Sequence, residues 1–91
     1  DGPFIWFMLG NAHLRLEAYR EAETCYRKVL TLQADHVEAC SQLGSVLESL
    51  GRHEEALAVF QRVLTLAPGN PHAGRSMVRI YKAMKQQRVD Q

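Results

Sequence analysis

The residue types that most often build enzyme active sites are present in this chain but scattered. It contains four histidines and two cysteines, and zinc binding is the chemistry that such residues could support. Cys25, His36 and Cys40 form the nearest candidate set. They include neither a CxxC nor an HxxxH pair, the spacings that bring two ligands to one ion. The sequence therefore predicts no metal and no cofactor. The cysteines are expected to be packed thiols and the histidines surface imidazoles.

Acidic residues offer a second kind of chemistry, because paired carboxylates can act as acid and base. Glu21 and Glu23, and likewise Glu54 and Glu55, fall early in predicted helices, where the helix dipole favours acidic side chains. That position accounts for them without a catalytic role. The six glycines are dispersed and form no phosphate-binding loop. We therefore predict no catalytic residues and no enzyme activity in this chain.

An internal repeat organises the sequence. Residues 3–36 match residues 37–70 at an offset of 34 residues, and the run Val29-Leu30-Thr31-Leu32 recurs unchanged at 63–66. A period of this length is typical of arrays of stacked helical units. The other matched pairs are Leu9 with Leu43, Gly10 with Gly44, Leu16 with Leu50, Glu21 with Glu55, Ala22 with Ala56, and Tyr26 with Phe60.

Each repeat is predicted to form two antiparallel helices, because apolar residues recur at the three-and-four spacing of a helical face. Asp35 is the predicted N-cap of the third helix, and Gly51 is expected to end that helix in the left-handed conformation. A further helix is predicted to begin after Asn70, which is its N-cap, with Pro71 in its first turn. The predicted helices cover residues 3–16, 19–33, 37–50, 53–67 and 71–86.

Two glycines predict where helices cross closely. Gly10 and Gly44 each lie inside the first of the two helices of their repeat, where glycine is about 1 kcal/mol less favourable than alanine. Their recurrence at the repeat offset therefore indicates a packing role, with Tyr26 and Phe60 supplying the volume beside them. Trp6 and Leu9 are predicted to lie on the buried face of the first helix.

The pattern Trp6…Leu9-Gly10…Ala22…Tyr26, followed by Leu43-Gly44…Ala56…Phe60…Pro68, resembles the signature of the tetratricopeptide repeat. The resemblance implies an all-α fold in which antiparallel helix-turn-helix repeats stack as a short right-handed superhelical solenoid of five helices. It implies a single domain over 1–91, with repeats at 3–36 and 37–70, a capping helix or partial third repeat at 71–87, and a tail at 88–91.

Departures from the family pattern are informative. Met77-Val78 stands where Leu-Gly is expected, and Val78 would obstruct a closely packed following helix. The last helix is therefore predicted to be a terminal cap. Some members of the family hold the C-terminal carboxylate of heat-shock chaperones with a Lys/Asn/Asn/Lys/Arg clamp. Of the corresponding residues only Asn11 matches, which argues against that ligand; the set is Phe7, Asn11, Gln42, His72 and Ser76.

The resemblance also implies a function, namely a scaffold that binds a peptide or protein segment on the concave surface lined by first helices. The scaffold is expected to be part of a larger protein. The concave surface would change from apolar to basic along the array, which predicts a partner with an apolar anchor and acidic residues. The predicted partner-binding residues are Phe4, Phe7, Met8, Asn11, Gln42, Ser45, Arg75 and Arg79, and Ser76 is expected to line the same surface.

The apolar end of this surface has three possible explanations. An upstream repeat, a hydrophobic partner segment or a second copy of the chain could cover it, since a soluble monomer rarely leaves such a stripe in water. The third explanation gives an alternative function, a self-assembly module that forms a homodimer through its first helix. A further alternative is a targeting appendage of an enzyme whose catalytic domain lies elsewhere. The stripe comprises Phe4, Phe7, Met8 and Leu14.

Charge and composition narrow the class of partner. Residues 71–91 carry a net charge of +4 and residues 1–70 a net charge of −3. The basic end could be a solvated face or a site for an acidic peptide. Nucleic acid is disfavoured because no aromatic residue alternates with the basic side chains. No apolar run is long enough to span a membrane, and two cysteines without a disulfide framework favour a reducing, cytoplasmic location.

Overall fold

The computed structural model describes residues 2–89, with side chains through residue 87. This part of the chain is all-α and contains no strand. The first four helices each end one residue before the predicted limit, and α5 continues beyond the predicted 86. Residues 88 and 89 of the predicted tail are therefore helical, while 90 and 91 lie outside the described residues. The helices are α1 (Pro3–Arg15), α2 (Tyr19–Leu32), α3 (Val37–Ser49), α4 (His53–Leu66) and α5 (Pro71–Val89).

The helix starts follow the repeat, with one correction. The Asn70 side chain accepts a hydrogen bond from the backbone N–H of Ala73 at 3.0 Å, as predicted for the cap of α5. At α3 the predicted cap, Asp35, is wrong. Nδ1 of His36 accepts from the Ala39 N–H at 3.0 Å instead. His36 is the residue that the 34-residue offset aligns with Asn70, so Asp35 lies one position too early.

The two hairpin turns have the same hydrogen-bond pattern. The N–H of Ala18 donates to the carbonyl of His13, and the N–H of Arg52 donates to the carbonyl of Leu47, both at 2.9 Å. This pattern is that of the Schellman motif, in which one residue takes the left-handed conformation. That residue is Gly51 in the second repeat, with φ of 77°, as predicted, and Glu17 in the first, with φ of 58°.

Glycine should be the better residue at position 17. A side chain in the left-handed conformation costs roughly 1–2 kcal/mol, and glycine avoids this cost, although it loses more backbone entropy on folding. We expect Glu17→Gly to raise the free energy of unfolding by about 0.5–1 kcal/mol, measured by chemical denaturation. Gly51→Glu is the matched control and should lower it. Equal stability of Glu17→Gly and the parent chain would contradict this account of the turn.

The hairpins are held together where glycines meet aromatic rings. A Cβ atom added to Gly10 would lie 2.8 Å from Cε1 of Tyr26, and one added to Gly44 would lie 2.7 Å from Cζ of Phe60. Both rings are fully buried, so the predicted close crossings of α1 with α2 and of α3 with α4 are confirmed. Between repeats, α2 packs on α3 and α4 packs on α5.

An ion-pair network joins the two repeats on their second helices. Arg52 contacts Glu23 at 2.6 Å and Glu55 at 2.7 Å, while Arg27 contacts the same two carboxylates at 2.8 and 3.3 Å. Burial alone would raise the pKa of Glu23, but the hydrogen bonds from Arg52 and Arg27 outweigh it and lower that pKa. Because the network is largely exposed, its contribution is modest for each pair.

Candidate protein-binding face

The 34-residue offset places the predicted binding residues in rows that run across the three first helices. Phe7, Ser41 and Arg75 form one such row, and Asn11, Ser45 and Arg79 form another. All eight predicted residues lie on α1, α3 or α5. We call the surface that these helices present the first-helix face.

A depression of about 240 Å³ lies in this face. It brings together Phe7 and Gln42, both predicted as binding residues, with side chains from all three helices or their caps. Val37 and Asn70 were not predicted to bind. The sequence indicated Asn70 only as a helix cap, and nothing in it indicated Val37 as a binding residue. The lining residues are Phe7, Val37, Glu38, Ser41, Gln42 and Asn70.

Phe7 forms a wall of the depression and is held in place by two aromatic neighbours. Its ring centroid lies 4.8 Å from that of His36 and 6.0 Å from that of Tyr26. The side chain is half-buried. Next to it, Oδ1 of Asn11 accepts a hydrogen bond from the Tyr26 hydroxyl at 2.6 Å. The Asn11 amide is thereby oriented by the core, which leaves its N–H groups for a partner.

At the basic end of the face, Arg75 and Arg79 were both predicted to bind a partner, but they differ in the contacts that they already make. Arg79 donates to both carboxylate oxygens of Glu48, through Nε at 2.5 Å and Nη2 at 2.8 Å. Nη2 also donates to Oγ of Ser76 at 3.1 Å. Arg75 is exposed and makes no ion pair among residues 2–87. Of the two arginines, Arg75 is therefore the one whose charge is not already balanced within the described part of the chain.

Two polar residues of the face are less available than the sequence suggested. Ser76, expected to line the concave surface, is fully buried, because it lies on the side of α5 that packs against α4 and α3. Ser45 is half-buried, and its Oγ lies 3.2 Å from Nε2 of His72. The rings of His72 and Phe60 in turn pack in a T-shaped arrangement, with their centroids 5.7 Å apart.

The apolar stripe of α1 is divided in the structure. Phe4 and Met8 are exposed, at 69% and 48%, whereas Phe7 and Leu14 pack against the core. Leu9, predicted to be buried, is 43% exposed. The prediction for Leu9 is wrong because this side of α1 faces away from α2 and has no neighbouring helix among the described residues.

A larger depression lies away from the predicted residues, between the start of α4 and the last turns of α5. Its volume is about 450 Å³. The polar groups at its mouth include Arg52 and Glu55, which are already paired in the ion network. The lining residues are Gly51, Arg52, His53, Glu54, Glu55, Met84 and Gln87.

The cysteines, considered above as possible metal ligands, lie in the interior of the described part of the chain. Cys25 and Cys40 are buried free thiols, and burial raises the pKa of each, so both stay protonated. Among the described residues no group of three or more histidine, cysteine or acidic side chains is placed to hold a metal ion. Within the same residues no helix is long and apolar enough to cross a membrane.

Comparison with known proteins agrees with this architecture. A family model described as tetratricopeptide repeat matches residues 7–71. Human protein O-mannosyl-transferase TMTC2 is 34% identical over 64 residues, which are 70% of this chain and 8% of that protein. This chain therefore spans less than a tenth of that relative.

Solved structures extend the comparison. The first TPR of Spaghetti (RPAP3), bound to the HSP90 peptide SRMEEVD, has a TM-score of 0.89 at 27% identity, with 92% of this chain and 67% of that chain covered. YrrB, described as a TPR protein with an unusual peptide-binding site, has a TM-score of 0.89 at 26% identity, covering 93% of this chain and 44% of that one.

The fold is one of stacked helical repeats, the architecture of protein-interaction scaffolds. The family match covers more than half of the sequence, and the glycine–aromatic crossings that carry the signature are present in both hairpins. The chain belongs to the tetratricopeptide repeat family.

Proposed function

We propose that this chain binds a peptide or protein segment across the first-helix face, as one module of a larger protein. The observation that carries the proposal is the 240 Å³ depression, which has an apolar wall at Phe7 and Val37 and amide groups at Gln42 and Asn70. Concave sites that combine an apolar wall with placed polar groups are typical of ligand binding, and at this size and with four polar lining residues the depression fits one side chain of a partner. The peptide-binding descriptions of the Spaghetti domain and of YrrB support the same class of function.

Phe4 supplies the apolar anchor point of the proposed site. It is 69% exposed, and the repeat offset aligns it with Glu38 and His72, which are also exposed. Two repeats thus place a polar side chain at this position, and the first places a large aromatic one. Burying an apolar side chain of this size contributes about 1.5–3 kcal/mol, so a partner with an apolar residue gains affinity here.

Arg75 supplies the basic end. It shares a row with Phe7 and Ser41, so a segment that crosses the helices meets apolar, small and basic side chains in turn. Arginine suits carboxylates because its guanidinium can donate two parallel hydrogen bonds. Arg79 has a secondary role, since Glu48 already occupies its donors. The proposed partner therefore carries an apolar residue that reaches Phe4 on α1 and, further along, an acidic residue that reaches Arg75 on α5.

A chaperone C-terminal carboxylate is not the proposed ligand. Of the positions that correspond to the family clamp, Asn11 is the single match, and Phe7, His72 and Ser76 stand where the clamp has Lys, Lys and Arg. The clamp position at Ser76 is fully buried and carries no charge. The Spaghetti domain shares the fold with this chain, but the residues at these positions argue for a different peptide.

A random peptide library displayed on phage tests the proposal. We expect the chain to select peptides that combine an apolar residue with Asp or Glu. Arg75→Ala should weaken a selected peptide at least tenfold, since a desolvated charge-assisted hydrogen bond contributes about 1.5–3 kcal/mol, and it should flatten the salt dependence of Kd. Replacing Arg75 and Arg79 together should weaken binding further, and Phe4→Glu should also weaken it.

Arg62→Ala is the matched control, because Arg62 is an exposed arginine on the second helix α4. It should leave Kd unchanged, and circular dichroism should show equal helicity for all variants. Selected peptides that bind the Arg75 and Phe4 variants as tightly as the parent chain would remove these two residues from the site. If Gln42→Ala in the depression also leaves Kd unchanged, the binding surface lies elsewhere.

The alternative functions stay predictions. Self-association through the apolar stripe of α1 would appear in sedimentation as a dimer that Phe7→Glu abolishes without unfolding the chain. A targeting role beside a catalytic domain is tested by expressing the full reading frame that contains this chain. The cytoplasmic location is likewise a prediction, to be checked by imaging a tagged full-length protein.

A further inference from the structure

A second apolar surface lies on α1, separate from Phe4 and the first-helix face. Ile5 is 56% exposed, Leu9 43% and Leu16 78%. With the half-buried Ala12 they follow the four-three-four spacing of one helical face. We call this row of Ile5, Leu9, Ala12 and Leu16 the docking face.

The same row is buried in the other two first helices. Ala39 and Val46 of α3 are fully buried and Leu43 is 2% exposed, while Ala73 and Ile80 of α5 are fully buried. The remaining members of both rows are half-buried. The complete rows are Ala39, Leu43, Val46 and Leu50 in α3, and Ala73, Met77, Ile80 and Met84 in α5.

Helix α5 shows which neighbour buries this row. No helix follows α5 among residues 2–89, and α5 packs against α4 and, less extensively, against α3. The side chains that bury Ala73 and Ile80 therefore belong to the preceding repeat. Since the offset of 34 residues preserves the helical position, the docking face of α1 is directed towards the place of a preceding repeat.

We propose that the docking face takes a helical hairpin of the same repeat type, joined to the chain ahead of Pro3. Its second helix would lie against α1 as α4 lies against α5. A second copy of this chain is a poor occupant, because the two surfaces that complement such a row are already covered, α2 by α3 and α4 by α5. This inference concerns a face different from the proposed peptide site and stands independently of it.

The chain itself supplies the probe. A fusion that places a copy of residues 37–70 directly before Pro3 reproduces the native Asn70-Pro71 junction. Leu9→Cys is compared in the chain and in the fusion, whose added copy carries Cys40→Ala, by the rate of thiol alkylation, with the chain's own buried Cys25 and Cys40 as slow internal references. We expect labelling at least about tenfold slower in the fusion, where exposure requires local opening. Phe4→Cys is the matched control and should label at the same rate in both.

A second measurement does not depend on thiol chemistry. Leu9→Glu should shift the unfolding midpoint little in the chain and strongly in the fusion, because a charge would then be buried without a partner. Equal labelling of Leu9→Cys in both proteins would overturn the proposal. Sedimentation of the unfused chain should show a monomer. A dimer that Leu9→Glu abolishes would assign the docking face to a second copy and would also overturn it.

Discussion

Replacing Gly44 by alanine is expected to destabilise the chain by about 1–3 kcal/mol through overpacking, although alanine is the better helix former. The added Cβ would lie 2.7, 2.8 and 2.9 Å from Cζ, Cε1 and Cε2 of Phe60. Phe60 is fully buried, so its ring cannot move away without displacing other core side chains. Urea denaturation followed by circular dichroism measures the change in the free energy of unfolding.

Gly74→Ala is the matched control for this substitution. Gly74 also lies inside a helix, but a Cβ added there meets no atom within 4 Å. The alanine should therefore stabilise α5 by up to about 1 kcal/mol from helix propensity alone. Phe60→Leu is destabilising by itself because it shrinks a buried side chain, but the double variant with Gly44→Ala should lose less than the sum of the two single losses, because the smaller side chain leaves room for the methyl group. If Gly44→Ala is as stable as Gly74→Ala, the close crossing does not limit the packing of the hairpin.

The helices and their crossings could be predicted because each signal occurs twice. A single internal glycine is ambiguous, but Gly10 and Gly44 at the repeat offset, each followed by an aromatic residue, indicate one packing geometry used in both hairpins. The turn at Gly51 was predictable because glycine favours positive φ. Its counterpart Glu17 has no such local signal, and the equivalence of the two turns follows from the offset alone.

Burial on α1 could not be predicted from the pattern of apolar residues. Leu9 and Leu43 match in type and position, yet Leu9 is 43% exposed and Leu43 is 2% exposed. The difference arises because α2 covers one side of α3, whereas no helix of the described part covers that side of α1. A periodic pattern shows which face of a helix is apolar, and the neighbours of the helix determine whether that face is buried.

The polar contacts of the first-helix face also could not be predicted from the sequence. Arg79 and Glu48 are 31 residues apart, so the spacing rules for pairs within one helix do not apply to them. Their contact depends on the distance between α3 and α5, which the repeat pattern does not set. The same holds for Phe7 of the first-helix face and His36, the N-cap of α3, which meet across two repeats. The sequence therefore assigned each candidate residue to its helix but not the contacts that each side chain makes, and the binding site itself stays a prediction.

Raising the pH above 9 is expected to reduce the stability of this chain steeply, with Tyr26 as the largest contributor. Burial, with a smaller contribution from nearby Cys25, raises the pKa of Tyr26 from 10.0 to about 12. A pKa that is higher in the folded state means that the fold favours the neutral phenol. This stabilisation is complete below pH 10 and is lost as the pH rises from 10 towards 12. Two pKa units correspond to a loss on the order of 2–3 kcal/mol.

Tyr26→Phe separates this contribution from other titrations, and it copies Phe60 from the second repeat. At neutral pH it should lower the free energy of unfolding by about 1 kcal/mol, because the 2.6 Å hydrogen bond to Asn11 is lost. Between pH 10 and 12 its stability should fall less steeply than that of the parent chain. Burial also raises the pKa of Cys25 and Cys40 above 9.0, so a smaller decline should persist in the variant.

The exposed Tyr81 provides the control, since Tyr81→Phe removes a phenol that is 54% accessible to solvent and should leave the alkaline decline of the parent chain intact. Urea denaturation at half-unit steps of pH gives the three curves to be compared. Parallel alkaline curves for Tyr26→Phe and the parent chain would show that the buried phenol does not couple to folding. A flattened curve for Tyr26→Phe alone would tie the alkaline loss to the crossing of α1 with α2, where the ring lies against Gly10.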